Sequence, residues 1–127
     1  MKKERSCNYA FDFDGVIAKY DGFKGKDVAG EPVPEVVEAI RELKKRGHKI
    51  IVYGSTRDND FLKSYCEQHD IPVDYFNENP EVPNSDGRKP VARVYIDDRG
   101  LTYKGQSVQE LVEEIENFEP YWKNNKQ

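Results

Sequence analysis

The chain predicts an α/β fold: a doubly wound, Rossmann-like parallel sheet with helices on both faces. Three observations carry this. Short apolar runs alternate with longer segments whose apolar residues recur at helical spacing. The short runs are rich in Val, Ile, Tyr and Phe and are bounded by Gly, Pro or Asn. Two of them end in acidic pairs, Asp12/Asp14 after Tyr9-Ala10-Phe11 and Asp97/Asp98 after Val94-Tyr95-Ile96. In an open parallel sheet such strand ends share one edge, and ligands bind there.

The first strand is expected from about Cys7 to Phe13. A polar, Gly-rich flap follows over 18–30, with Gly22, Gly25 and Gly30. Pro32 and Pro34 introduce a helix, Pro34 near its first position, where a missing N–H costs nothing. Val36, Val37, Ile40 and Leu43 form its apolar stripe, and Lys44-Lys45-Arg46 suits the negative end of its dipole. Gly47 is placed for the left-handed residue that ends it.

A second strand, Lys49 to Tyr53, leads into Gly54-Ser55-Thr56-Arg57. A helix from about Asn59 to His69 follows, pairing Phe61 with Tyr65 and Leu62 with Cys66. A short third strand near Val73 to Phe76 opens a long Asn- and Pro-rich loop over 77–88. Strand four is expected from Val91 to Ile96. Ser107-Val108-Gln109-Glu110 reads as a capping box for a last helix whose apolar side is Val108, Leu111, Val112, Ile115 and Phe118. Residues 123–127 read as a disordered tail.

At 127 residues the chain makes one domain, 1–127. Charged residues reach 35% against 36% hydrophobic, and no apolar stretch approaches the ~20 residues of a membrane-spanning helix. Met1-Lys2-Lys3-Glu4-Arg5-Ser6 lacks the apolar centre of a signal peptide. A soluble, cytoplasmic protein without membrane contact is expected, with Cys7 and Cys66 reduced and buried. A net charge of −4 argues against nucleic acid as partner, while Arg57, Lys89 and Arg99 form a local basic mouth for an anionic substrate. Monomer and homodimer both remain open.

Four carboxylates gathered at one edge repel one another unless a hard cation joins them, and Mg²⁺ is the expected one. That points to metal-assisted chemistry on a phosphate. A calcium loop is excluded, because Asp12-Phe13-Asp14-Gly15 puts glycine at its fourth position rather than its sixth.

In order, the chain offers D-x-D-G after strand one, a Ser/Thr after strand two, a Lys ahead of strand four and D-D after it. Together these resemble the four motifs of the haloacid dehalogenase (HAD) superfamily, specifically its phosphatases, from about Tyr9 to Arg99. The resemblance implies that Asp12 is the nucleophile and forms an aspartyl-phosphate. It implies that Asp14 is the acid and base, its backbone carbonyl also meeting Mg²⁺. Asp97 and Asp98 would hold the metal, one directly and the other directly or through water. Lys89 would supply positive charge to the phosphate. The alignment that keeps Ser-x-Arg selects Ser55 as the phosphate-binding hydroxyl, and Thr56 takes the role if the strand ends one residue later. The substrate would be a phosphorylated small molecule, a sugar phosphate or another small phosphoester. With only the flap at 18–30 and the loop at 77–88 where relatives insert caps, the chain resembles the small capless type. Both segments are expected to be mobile and the site open.

Two other readings compete. A receiver domain also phosphorylates an Asp, but there the acidic pair comes early and the Lys last. A catalytically idle HAD-fold binding protein would keep the motifs without turnover. Among other polar residues, His48 and His69 are read as surface or capping groups and Asp58 as the cap of the second helix. Arg99 either pairs with Asp97 or Asp98 or faces the phosphate. Tyr20, Tyr103, Tyr121 and Trp122 are read as packing residues.

Overall fold

Each short apolar run becomes a strand, and all the strands run parallel. The computed structural model describes residues 7–54, 57–82 and 90–124. In chain order these form β1 (Asn8–Asp12), α1 (Pro34–Lys45), β2 (Lys49–Tyr53), α2 (Asn59–Gln68), β3 (Tyr75–Phe76), β4 (Val94–Ile96), α3 (Val108–Asn117) and α4 (Tyr121–Asn124). The sheet order is β3-β2-β1-β4, with Phe11 opposite both Val52 and Ile96. Strand order therefore reverses beside β1, and the acidic pairs leave neighbouring strands at that switch point.

Strand alternation sorts the core. Phe11, Phe13, Ile50 and Val52 pack with Val37 and Ile40 of α1 and with Leu62, Tyr65 and Cys66 of α2. Ala10 and Ile51 point the other way and are also fully buried. On that face Tyr95, opposite Ala10, meets Tyr53 edge-on and donates its hydroxyl to the Pro90 carbonyl.

Helix α1 starts at Pro34 and is followed by Gly47 at φ +90°, as its terminal signals require. Strands β3 and β4 begin later than their apolar runs, because side chains take over ladder positions. The Asp74 carboxylate accepts the Ile50 N–H at 2.8 Å and pairs with Lys44. The Tyr95 hydroxyl accepts the Ala92 N–H.

Helix α3 has the expected capping box, Ser107 Oγ accepting from Glu110 N and Glu110 Oε1 from Ser107 N. None of its residues is buried, however, and Val108, Val112 and Ile115 of its apolar side are exposed. Local bonds, including Gln106 to Glu114 at 2.6 Å, hold it instead of core packing. Of the helices expected on both faces, α1 and α2 are the ones that supply core residues. Of the tail expected to be disordered, residues 125–127 lie outside the described residues, and the rest is helical. Lys123 and Asn124 belong to α4, whose Trp122 is buried. No helix among the described residues is long and apolar enough to cross a membrane.

Candidate active site

The turn after β1 is built on one carbonyl. Phe13 O accepts the N–H groups of Ile17 and Ala18, both at 3.0 Å, which throws Asp12 and Asp14 onto the carboxyl edge of the sheet. Gly15 makes this possible at φ +87°, and a Cβ there would strike the Asp98 carboxylate. The glycine of D-x-D-G thus serves both the turn and the approach of the second acidic pair.

The four carboxylates do not share one cluster; each has its own partners. Asp12 Oδ1 accepts the Phe13 N–H at 2.9 Å, and the Asp98 carboxyl lies close enough to act on its titration. Burial first and then the neighbouring Asp98 carboxyl push its pKa up to about 8, against the smaller opposing pull of the Phe13 N–H. Asp14 instead forms a two-pronged ion pair with Arg57, Nε to Oδ2 at 3.1 Å and Nη2 to Oδ1 at 2.8 Å. Asp97 Oδ1 accepts the N–H groups of Arg99 at 3.2 Å and Gly100 at 2.6 Å, closing its own turn. Asp98 Oδ2 accepts the indole N–H of Trp122 at 2.5 Å.

Arg57 is only 5% exposed. Beyond Asp14 its Nη1 donates to the carbonyls of Gly25 at 3.1 Å and Lys26 at 2.7 Å, and its guanidinium lies over the rings of Phe13 and Phe61. It therefore ties the flap to the acid. Tyr65 adds a second tie, its hydroxyl donating to Gly30 O at 2.7 Å. Between flap and acid lies a cavity of about 210 Å³, bounded by Asp14, Arg57, Lys19, Tyr20, Lys24 and Ala29 among others.

Tyr53, opposite Asp12 in the ladder, carries a buried hydroxyl with no hydrogen-bond partner among the described residues. Burial and then the charges of Asp12 and Asp97 raise its pKa, so the group stays a donor beside the carboxylates. At the end of β2, Gly54 N donates to Asn77 Oδ1 at 3.0 Å, and Asn77 in turn donates to Asn59. Ser55, Thr56 and Lys89 lie outside the described residues.

Sequence reasoning missed Trp122 and Tyr121 as site residues. Tyr121 Oη donates to Gly15 O at 2.8 Å, so α4 closes one side of the site. The available signal was a lone tryptophan in a polar tail. Among the described residues Arg99 makes no ion pair with Asp97 or Asp98, and its guanidinium stands 5.3 Å over the Trp122 ring. Asp58 sits at the N-cap of α2 but its side chain makes no capping bond. His48 accepts the Cys7 N–H and His69 packs on Tyr65, neither of them a neighbour of the acids through these contacts. Cys66 is buried and Cys7 half-buried, and no disulfide joins them.

Among the described residues, no group of three or more acidic, histidine or cysteine side chains is gathered as a ready metal cage. Asp12 and Asp98 form a two-carboxylate set, which is what Mg²⁺ ordinarily takes from a protein when waters and substrate phosphate complete its shell. The orphaned Tyr53 hydroxyl beside them fits an oxygen of such a bound group.

No family model matches the chain, and no curated protein matches it either. It is similar to a solved structure described as that of a conserved protein from Bacteroides thetaiotaomicron, at 24% identity. The likeness covers 97% of this chain and 100% of that one with a TM-score of 0.61, and it shows a shared fold.

Proposed function

We propose that this chain is a Mg²⁺-dependent phosphomonoester hydrolase of the capless HAD type, acting on a small phosphorylated molecule through an aspartyl-phosphate on Asp12. The observation that supports this best is the meeting of Asp12 and Asp98. They come from distant parts of the chain, yet the Asp98 carboxyl reaches the turn that carries Asp12, at the ends of adjacent strands. Two half-buried acids brought so near each other need either a shared proton or a cation.

Bound there, Mg²⁺ would neutralise charge on the transferring phosphoryl group and screen it from Asp12. The chain's own residues do the rest. Asp12 attacks phosphorus as the bond to the leaving alcohol breaks; Asp14, once its carboxylate leaves Arg57 and takes up a proton from solvent, gives that proton to the leaving oxygen. Asp14 then removes a proton from the water that attacks the acyl phosphate, releasing inorganic phosphate and free Asp12. Arg57 fixes the direction in which the Asp14 carboxylate faces. Ser55 or Thr56, with Lys89, would hold the phosphate oxygens.

The test is phosphate release from a panel of sugar phosphates, nucleotides and an aryl phosphate, with Mg²⁺ or with chelator. Turnover should require Mg²⁺, and Asp12→Asn should lower it by at least ~10³-fold while the fold survives. A variant that keeps more than about a tenth of wild-type turnover would remove Asp12 as nucleophile.

A further inference from the structure

Asp14 and Asp98 both sit beside Gly15, but they are held by opposite kinds of partner. Asp14 has a guanidinium, which cancels its charge. Asp98 has an indole N–H, a neutral group that can donate but never accept. A neutral donor fixes a carboxylate without taking up the charge that a cation needs.

We infer that Trp122 is a positioning residue for Asp98, holding its carboxylate against Asp12 with its charge available to a divalent cation. This rests on the magnesium reading above. The indole is itself tightly placed. Trp122 is 8% exposed, Tyr20 meets its ring edge-on at 5.0 Å, and Arg99 lies over its face. That stacking also keeps the Arg99 charge engaged with the ring. Its neighbour Tyr121 anchors the same helix to the Gly15 carbonyl at 2.8 Å, on the turn whose missing Cβ admits Asp98. Helix α4 thus presents one donor to each acidic pair's surroundings, and carboxylates that hold metals depend on such outer partners.

Trp122 is the sole tryptophan, so its emission reports on Asp98 directly. Adding Mg²⁺ to the full chain should change that emission, and the change should vanish in Asp98→Asn. Binding is measured separately by counting free Mn²⁺ with electron paramagnetic resonance, Mg²⁺ competing. Trp122→Phe keeps an aromatic ring and loses the N–H. It should weaken both ions by ~10–100-fold, the usual cost of removing an outer-shell partner, while melting in chelator within a few degrees of wild type. Trp122→His, which restores a ring N–H, should recover part of the loss. A Phe variant that binds Mn²⁺ within about threefold of wild type overturns the inference. If that variant fails to fold, wild-type emission decides: no response at saturating Mg²⁺ overturns it equally. A wild-type chain that binds neither ion overturns the magnesium reading, and this inference with it.

Discussion

Asp12 is the residue whose surroundings most oppose its charge. With its carboxyl raised from 3.8 to about 8 in the folded chain, the folded state holds a proton that the unfolded state has released across that interval. Unfolding then becomes easier as pH rises, so the contribution is fully present below about 4 and lost as pH passes through about 8. Melting in chelator should show Tm falling between pH 5 and pH 9, and Asp12→Asn should flatten that slope. A wild-type profile that rises or stays level across the range would contradict it. Arg57 poses the reverse case, a charge that is buried because it is paired. Arg57→Ala leaves Asp14 and the Gly25 and Lys26 carbonyls without their donor, and should cost about 3–5 kcal/mol in denaturant unfolding. Arg57→Lys should recover little, since one ammonium cannot reproduce the two-pronged geometry.

At the scale of elements, burial rather than apolar content decides what each helix contributes. Leu62 of α2 is fully buried, so Leu62→Ala should cost about 2–5 kcal/mol. Val108 of α3 is 82% exposed, so Val108→Ser should stay within about 0.5 kcal/mol. Parallel urea titrations compare the two, and equal losses would mean that α3 is packed in solution. These elements also show what could be read from sequence. Strands β1 and β2 and helices α1 and α2 were legible because apolar period, Pro34 and Gly47 all agreed. Helix α3 was legible as a helix, from its capping box, but not as an exposed one, since amphipathic spacing does not name a partner. The late starts of β3 and β4 depend on the Asp74 carboxylate and the Tyr95 hydroxyl replacing backbone partners, which no residue period records. Helix α4 spans four residues, too few for any period. In the site, the acidic pairs could be named from their strand ends. Their separate partners could not, because Arg57 reaches Asp14, and Trp122 reaches Asp98, only through the fold.

The whole molecule carries its candidate chemistry on the seam between β1 and β4, so ligation and folding are linked. A cation that binds the folded Asp12 and Asp98 but not the open chain should stabilise the protein by ~2.7 kcal/mol at ~100-fold excess over Kd. Thermal melts with increasing Mg²⁺ test this, and a Tm indifferent to both Mg²⁺ and chelator would exclude a cation at this seam. The flap at 18–30 gives its Gly25 and Lys26 carbonyls to Arg57 and its Gly30 carbonyl to Tyr65, and so forms one wall of the site.

The bond from Tyr121 to Gly15 spans 106 positions. Closing so long a loop spends chain entropy well before the contact returns any energy. Strands β1 and β2 pair across only 41 positions, from Asn8 to Lys49, whereas the β1–β4 pairing already spans 85, from Tyr9 to Val94. A chain growing from its N-terminus therefore displays Asp12 and Asp14 long before the groups that complete their surroundings exist. Completion of the candidate site arrives as a late event in the assembly of the molecule, set by chain order rather than by the strength of any one bond.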